Sequence, residues 1–361
     1  GPDGGKFLQS TSLFGTALVR FLQNSRTEID RWIVLGTSAS LWSELNRILS
    51  EPESVIEQYC RIDDRVASRT VDNSSLRQWE ECLNHHANPI QLRLCLTGEA
   101  LDPESQQQIA AALFSNIPRG NDVVFDISHG FRHQPVIATF LISLMRWTHA
   151  IHSVRLFSGV FEARQGDVTP VLELPICQEL VNAAEAAATL AVTGNYEPVA
   201  RCLERDAALA WFLENTTQLS KARTHALQLR RGATASADVV DAQLAALLQE
   251  RLQWSEQVSF ANRFQQSART ALDRGDYFRA IILIYEALRI RAGQFLYSTA
   301  DPLNYQTRER AEKDLFSRLT GAERELLRDL QYTRNACAHG TRSNRASVQQ
   351  VLRGPQEFRC L

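Results

Sequence analysis

The sequence predicts an α/β domain followed by an all-α region, and three observations lead to this fold class. In residues 1–175, short apolar runs that suit buried strands alternate with stretches that are apolar at helical spacing. Residues 176–300 are rich in Ala, Leu, Arg, Glu and Gln and are helical in pattern almost throughout. Its 361 residues are enough for two or three domains. We therefore expect an α/β domain with a mostly parallel sheet at 1–175, a helical connector at 176–254 and a helical domain at 255–361.

In the predicted α/β domain strands alternate with helices, which is the order expected for a parallel sheet covered by helices. Helical spacing in "LFGTALVRFLQ" predicts a first helix, and "RWIVLGTSAS" predicts a short buried strand from Trp32 to Leu35 that breaks into a Gly-Thr-Ser turn. A helix is predicted for "LWSELNRIL", a second strand for "IQLRLCLTG", and a helix that opens at Pro103. "NDVVFDISHG" predicts the third strand, and "QPVIATFLISLMRWTHA" the helix after it. The turn sequence "RQGD" predicts a hairpin at the sheet edge.

The helical region has one clear interruption and one compact terminal part. "RRGATASADVV" interrupts the helical pattern, and either Asp238 or Ser236 is placed to cap the helix that follows. Three helices are predicted after residue 255, in "FANRFQQSARTALDRGD", "YFRAIILIYEALRIRAGQFLY" and "GAERELLRDLQYTRNACAH". Within the second, Glu286 and Arg289 are three residues apart and are predicted to form an intrahelical ion pair.

Composition excludes several classes of protein. A hydrophobic share of 44% with 22% charged residues is typical of a soluble globular protein, and no apolar run is long enough to span a membrane. The seven cysteines are scattered without a CxxC pair, which favours reduced thiols in the cytoplasm and argues against a structural zinc site. The chain has neither a GxGxxG nor a GKS/GKT motif, so we expect no cofactor and no metal.

Charge is distributed unevenly along the chain. Residues 261–361 carry 17 Lys and Arg against 11 Asp and Glu, a balance of +6, while the rest carries 22 against 30, a balance of −8. A basic C-terminal part on an acidic body is consistent with a polyanionic partner such as RNA, although a solvated arginine-rich helical surface would give the same count.

Two predicted strand ends carry the small polar residues that bind phosphate. Ligands of open parallel sheets lie at the carboxyl ends of the strands, where backbone N–H groups and hydroxyls can meet an anion. A His-Gly step between a buried strand and a buried helix contributes little to packing, so the third strand end is the stronger signal. The candidate ligand-binding residues are Gly36, Thr37 and Ser38 after the first strand, and Ser128, His129, Gly130, Phe131 and Arg132 after the third.

The stretch "YTRNACAHG" at 332–340 is a candidate catalytic site. On a helix, Asn335 and His339 lie four residues apart and share a face, while the long side chain of Arg334 can reach the same cleft. Gly340 is predicted to end the helix. An imidazole can transfer protons near neutral pH, and a guanidinium can stabilise charge on a phosphoryl group. Arg334, Asn335 and His339 therefore suit cleavage of RNA without a metal, with the 2′-hydroxyl as nucleophile.

Both constellations resemble motifs of known families. "DISHGFRHQP" resembles the DxTHG signature of CRISPR-associated sensors with a CARF domain, and "VLGTSASLW" resembles the phosphate-side turn of that family. "RNACAHG" resembles the R-N-x-x-x-H signature of HEPN ribonucleases. Two departures from the CARF pattern stand out. Ser128 takes the place of the usual Thr, and the family opens with a strand that "GPDGGKFLQSTS" does not resemble.

The two resemblances together imply a type III CRISPR accessory ribonuclease for antiviral defence. They imply a Rossmann-like CARF domain that binds a cyclic oligoadenylate, expected to be cyclic tetra-adenylate, and a HEPN domain that cuts single-stranded RNA. They also imply a homodimer or a larger oligomer, with the eight strand-end residues on the ring and Arg334, Asn335 and His339 at the scissile phosphate. Two alternatives remain open: a non-catalytic sensor that binds a partner, and a ring nuclease in which Ser128 and His129 help to cleave the cyclic ligand.

Overall fold

The computed structural model describes residues 11, 13–49, 51–86, 90–233, 238–298 and 301–361. The chain divides into two compact units, Gly1–Glu179 and Leu180–Leu361. All of the described strands belong to the first unit, and the second unit is helical, so the predicted α/β plus all-α class is confirmed. None of the described helices is long and apolar enough to cross a membrane.

The first unit consists of short strands separated by helices. Its α-helices are α1 (Phe14–Asn24), α2 (Ile56–Ala67), α3 (Asn73–His86), α4 (Pro103–Asn116) and α5 (His133–Thr148). Its strands are β1 (Arg31–Gly36), β2 (Gln91–Leu96), β3 (Val123–Asp126), β4 (Val154–Gly159) and β5 (Val171–Glu173). Three 3₁₀ helices lie at Trp42–Ile48, Pro52–Val55 and Phe161–Ala163.

The described strands form two sheets rather than one. In the first, β1 and β2 are parallel, with Arg31 opposite Gln91. In the second, β3 and β4 are parallel and β5 is antiparallel to β4. A bridge between Gln165 and Val168 closes the β4–β5 connection, which confirms the predicted hairpin. A single Rossmann-like sheet remains a prediction, and the expected absence of a first strand concerns residues outside the described part.

Local sequence explains how the elements of the first unit begin and end. The prediction that Pro103 opens α4 is confirmed, since Asp102 caps that helix by accepting the backbone N–H of Ser105 at 2.9 Å. The helix predicted in "LWSELNRIL" is present as Trp42–Ile48, and it is a 3₁₀ helix. Its first residue, Trp42, donates its backbone N–H to the Ser40 carbonyl and its indole N–H to the Thr37 carbonyl. These bonds make a tight turn directly before the 3₁₀ helix.

The apolar residues of the first unit collect on both sides of the strands. One cluster joins α4 and α5 to β1 and β3 and includes Ile109, Ile142 and Met145. A second cluster surrounds Trp42 and Trp79 and joins α2 and α3 to β1 and β2. The strands are thus covered by helices on either face, as the apolar character of their sequences requires.

The second unit is formed by packed helices. The helix α6 (Pro175–Thr193) begins before the division between the units. The helices that follow are α7 (Glu197–Cys202), α8 (Ala208–Asn215), α9 (Leu219–Gly232), α10 (Val239–Arg251), α11 (Phe260–Asp273), α12 (Tyr277–Leu296), α13 (Tyr305–Arg318), α14 (Gly321–His339), α15 (Ala346–Val351) and α16 (Pro355–Arg359). Asp238 caps α10, as predicted, whereas Ser236 lies outside the described residues. The three helices predicted after residue 255 correspond to α11, α12 and α14, and α13 was not predicted.

A buried ionic cluster connects three helices of the second unit. The side chain of Glu214, at the end of α8, is only 1% exposed and pairs with Arg251 of α10 and Arg279 of α12. Arg279 also donates to the Glu214 carbonyl at 2.8 Å and to Asn215 Oδ1 at 2.9 Å. Because a buried charge is costly without partners, this cluster depends on every member being present.

The seven cysteines are all free thiols, as the sequence predicts. Cys60 and Cys360 are exposed, and the other five are partly buried.

Candidate functional site

The carboxyl ends of β1, β2 and β3 meet at one edge of the first unit. The backbone N–H of Thr97, after β2, donates to the carbonyl of Gly36 at 2.8 Å. The side-chain amide of Gln134, at the start of α5, donates to the carbonyl of Gly98 at 3.3 Å. The backbone N–H of Phe14, at the start of α1, donates to Nε2 of His129 at 3.2 Å. The two strand ends predicted from the sequence are therefore brought to the same edge.

The turn after β1 is held tightly by its own side chains. The Thr37 N–H donates to Ser40 Oγ at 2.8 Å, and the Thr37 carbonyl accepts from the Ser40 N–H at 3.1 Å. A Cβ at Gly36 would lie 2.7 Å from both Ser40 Oγ and Trp42 Cζ2, so this close approach requires glycine. Ser38 makes no hydrogen bond with any described residue, which leaves its N–H and hydroxyl available to a ligand.

The turn after β3 is fixed by Ser128. Its N–H donates to Asp126 Oδ1 at 2.7 Å, and its Oγ accepts the Gly159 N–H at 2.6 Å, which ties β3 to β4. Gly130, two residues further on, has φ of +100°, a backbone conformation that residues with a Cβ rarely adopt. Phe131 is 46% exposed and its ring stacks on His133 at a centroid distance of 5.8 Å.

Arg132 completes this turn as an exposed cation. It occupies the N-cap position of α5, where it makes no side-chain capping bond. It also forms no salt bridge with any residue in the described part of the chain. An exposed guanidinium beside an exposed aromatic ring suits a phosphate and a base of the same ligand.

Two titratable groups lie beneath the turn. Burial raises the pKa of Asp126, while the hydrogen bonds from Ser128 and the nearby His129 oppose that rise. His129 Nε2 accepts the backbone N–H of Phe14 at 3.2 Å, so this nitrogen is engaged by the start of α1. His129 is therefore held as part of the structure and is poorly placed to act as a general base through Nε2.

The raised pKa of Asp126 predicts a pH-dependent effect of Asp126→Asn. An acid whose pKa is higher in the folded state favours folding at low pH, and this contribution is lost as the pH rises through the folded pKa. The substitution removes the charge but keeps an oxygen that can accept the Ser128 N–H. We therefore expect it to raise the midpoint of thermal unfolding more at pH 7 than at pH 4. An equal change at both pH values would contradict the burial of this carboxylate.

A cavity of about 880 Å³ runs along the whole length of β1 and β3 and reaches this edge of the unit. Five of the eight predicted residues line it, and Ser38, Ser128 and Arg132 are not among its lining residues. The five that do line it are Gly36, Thr37, His129, Gly130 and Phe131. Sequence reasoning missed Thr97, Gly98 and Gln134, although the Thr-Gly end of the second predicted strand was the same kind of signal.

The three candidate catalytic residues, Arg334, Asn335 and His339, lie along α14. Arg334 Nη1 donates to Asn335 Oδ1 at 2.8 Å, and the guanidinium lies over the ring of Tyr285 at 5.7 Å from its centroid. His339 is the last residue of α14 and is exposed, with no hydrogen bond to any described residue. Gly340 ends the helix in the left-handed conformation, with φ of +63°, as predicted. The structure thus joins Arg334 to Asn335 directly and places His339 one turn further along the helix.

A network of paired charges lies next to Arg334 without including it. Glu286 pairs with Arg289 at 2.9 Å and with Arg308 at 2.8 Å, which confirms the predicted intrahelical pair. Glu312 pairs with Arg289 at 2.9 Å and accepts a hydrogen bond from the hydroxyl of Tyr285. These carboxylates are thereby neutralised, and Arg334 forms no salt bridge with any residue that the structure describes. Its charge is available to a phosphate.

Tyr285 and Glu312 are the functional neighbours that sequence reasoning missed. Burial raises the pKa of Tyr285, and its hydrogen bond to Glu312 raises it further, so the ring under Arg334 stays neutral. The side-chain amide of Gln331 also donates to Glu312 at 3.0 Å. No sequence signal marked Glu312, because its helix, α13, was not predicted.

The described residues offer no ready metal centre: no group of three or more His, Cys, Asp or Glu side chains in them is arranged to hold an ion. A comparison of the sequence with protein-family models finds no match, and a comparison with curated proteins finds no significant one. The roles of the two constellations are therefore argued from their residues and geometry.

Proposed function

We propose that this protein is a cyclic-oligoadenylate-activated endoribonuclease that cuts single-stranded RNA without a metal. The observation that carries the proposal is the state of Arg334, a half-buried cation with no carboxylate partner among the described residues. Its guanidinium donates to Asn335, which lies one helical turn before the exposed His339. The likeness of "RNACAHG" to the HEPN signature and of "DISHGFR" to the CARF signature supports the same reading.

The chemistry follows from the groups on α14. The 2′-oxygen of the substrate attacks the adjacent phosphorus, and the bond to the 5′-oxygen of the next nucleotide breaks. His339 transfers a proton to or from the reacting oxygens, and Arg334 stabilises the charge that develops on the phosphoryl oxygens. Asn335 accepts from Arg334 and so positions the guanidinium. The products are a 2′,3′-cyclic phosphate and a 5′-hydroxyl end.

One histidine cannot serve as acid and base at once, so the proposal includes a homodimer. Two copies related by a twofold axis would supply a second His339 and a second Arg334 to one substrate. One imidazole would then accept the proton of the 2′-hydroxyl while the other protonates the leaving oxygen. The homodimer would also present two strand-end edges to a symmetric ring.

The strand-end edge of the first unit is the proposed activator site. Among the described residues nothing bonds the N–H or hydroxyl of Ser38 and nothing forms a salt bridge with Arg132, and these two groups together suit the phosphates of a cyclic oligoadenylate. The exposed ring of Phe131 suits stacking on adenine. Activation requires the ring to bind the cleaving arrangement more tightly than the resting one.

The proposal predicts that a fluorescent single-stranded RNA reporter is cut in EDTA only when one ring is present. Cyclic tri-, tetra- and hexa-adenylate are each tested, and linear tetra-adenylate serves as the matched control. Cyclic tetra-adenylate is the expected activator. End analysis of the products should find 2′,3′-cyclic phosphates.

Three outcomes would change the assignment. Loss of cleavage in EDTA would contradict the metal-free reaction. Tight ring binding without any cleavage would favour the non-catalytic sensor. Disappearance of the ring without cleavage of RNA would favour a ring nuclease, although the engagement of His129 Nε2 by Phe14 makes that alternative weaker.

A further inference from the structure

The carboxylate of Glu312 lies close to the candidate catalytic helix α14. Its Oε1 accepts a hydrogen bond from the side-chain amide of Gln331 at 3.0 Å. Gln331 is three residues before Arg334 on α14, and side chains at this spacing are neighbours on the helix surface. An arginine side chain is longer than that of glutamine, so Arg334 can reach the same carboxylate by a change of rotamer. In the described structure, however, Arg334 and Glu312 form no salt bridge, and Arg334 donates to Asn335 instead.

Among the described residues, three groups hold Glu312 in its position. The hydroxyl of Tyr285 and the amide of Gln331 both donate to Oε1. The Nε of Arg289 lies 2.9 Å from Oε2. Hydrogen bonds to an ionised carboxylate are about twice as strong as those between neutral groups. The two bonds to Oε1 therefore hold the carboxylate against Tyr285 rather than against Arg334.

Tyr285 contacts Glu312 and Arg334 through different parts of one side chain. Its hydroxyl donates to Glu312, and its ring lies under the Arg334 guanidinium, 5.7 Å from the ring centroid. Tyr285 is only 3% exposed, so close packing among the helices fixes its ring. Burial raises the pKa of Tyr285, and the hydroxyl therefore stays protonated and donates at neutral pH. One fixed side chain thus supports the cation and engages the nearby anion.

We propose that the hydroxyl of Tyr285 keeps Glu312 away from Arg334 and so keeps Arg334 open to a phosphate of RNA. Without that hydroxyl, Glu312 turns toward α14 and forms an ion pair with Arg334, which closes the site to a phosphate. Tyr285 is a positioning residue, because it acts through Glu312 and Arg334 and not on the substrate. Its effect on cleavage rests on the proposed function, whereas the state of Arg334 can be measured without it.

The kinetic test removes the hydroxyl and then the competing charge. Tyr285→Phe keeps the aromatic ring, and we expect kcat/KM of activator-dependent RNA cleavage to fall at least about tenfold, as for loss of one hydrogen bond to a charged group. Combining it with Glu312→Gln should return kcat/KM to within about threefold of the original protein, because an amide forms no ion pair with Arg334. A merely structural role of Tyr285 would not give this rescue, since the second substitution also removes the carboxylate that pairs with Arg289.

Tyr305→Phe is the matched control for the loss of a hydroxyl. The ring centroid of Tyr305 lies 5.6 Å from the guanidinium carbon of the same Arg289, and Tyr305 is 66% exposed. Its hydroxyl forms no hydrogen bond with any residue in the described ranges, so its removal should leave kcat/KM within about twofold of the original protein. An equal decrease in both tyrosine variants would overturn the inference, because only Tyr285 of these two donates to Glu312.

A second measurement follows the state of Arg334 in the full chain without RNA. Phenylglyoxal modifies guanidinium groups, and an ion pair with a carboxylate slows this reaction. Mass spectrometry of proteolytic peptides should find Arg334 modified at least about fivefold more slowly in Tyr285→Phe than in the original protein, and at the original rate in the double variant. Arg353, which is exposed on the same unit, is the internal reference and should react equally in all three proteins.

The two measurements separate failure of this inference from failure of the proposed function. Equal modification of Arg334 in the original protein and in Tyr285→Phe would overturn the inference, because Glu312 would not have moved. A double variant that cleaves as slowly as Tyr285→Phe would also overturn it. If the original protein cuts no RNA but Tyr285→Phe still protects Arg334 and the double variant restores its reaction, the nuclease assignment is wrong and the control of Arg334 by Tyr285 is confirmed.

Discussion

Replacement of His339 by alanine is expected to reduce ring-activated RNA cleavage by about 10²- to 10⁴-fold, the usual contribution of a positioned proton-transfer group. His339 is exposed at the end of α14 and forms no hydrogen bond with any described residue. The substitution should therefore leave the free energy of unfolding and the affinity for the ring unchanged. Initial rates of reporter cleavage at saturating ring measure the effect.

A second histidine provides the control for this substitution. His152→Ala removes an exposed imidazole from the first unit and should leave the cleavage rate within about twofold of the original protein, since exposed substitutions away from a site have small effects. If His339→Ala cleaves as fast as His152→Ala, the assigned active site is wrong. If His339→Ala instead loses ring binding, the loss of cleavage would not report proton transfer.

Glu214→Ala is expected to destabilise the protein by about 3–5 kcal/mol, because it leaves Arg251 and Arg279 buried without their carboxylate. For a unit of this size, about 4 kcal/mol corresponds to a decrease of about 10 °C in the midpoint of thermal unfolding. Chemical unfolding followed by circular dichroism measures the free energy directly.

Two further variants identify the origin of this destabilisation. Glu214→Gln keeps the shape and the hydrogen-bonding oxygen but removes the charge, so it should retain a large part of the loss. Glu250→Ala removes an exposed carboxylate from the neighbouring α10 and should change the free energy of unfolding by less than about 0.5 kcal/mol. A loss below about 1 kcal/mol for Glu214→Ala would mean that water reaches the two guanidinium groups and screens them.

Most elements of the fold were predictable because their signals are local. The capping of α4 at Asp102 and the left-handed Gly340 depend on residues within one turn of the helix end. The helix α13 was missed because Ala311 is its only fully buried residue, so its sequence "YQTRERAEKDLFSR" carries little apolar periodicity. The helix is held against α12 by Ala311 and by charge pairs such as Glu286–Arg308 and Glu312–Arg289, and such pairs leave no apolar pattern in the sequence.

The candidate residues were predictable, but the contacts that position them were not. His129 is oriented by the N–H of Phe14, 115 positions earlier in the chain, and no local pattern specifies that bond. Arg334 lies over Tyr285 on another helix, and among the described residues the nearby Glu286 and Glu312 pair with Arg289 and Arg308 rather than with Arg334. Such pairings are set by tertiary packing, which a motif of seven residues does not record.

The buried cluster around Glu214 and the apolar core beside it link the helices of the second unit during unfolding. One continuous core runs from Ala183 of α6 to Ile290 of α12, and the bonds of Arg279 cross from α12 to the end of α8 within it. Helices that share a core and a buried charge cannot separate without exposing both to water. Residues 183–290 should accordingly behave as a single foldon, whose interior amides become accessible in one cooperative event rather than helix by helix.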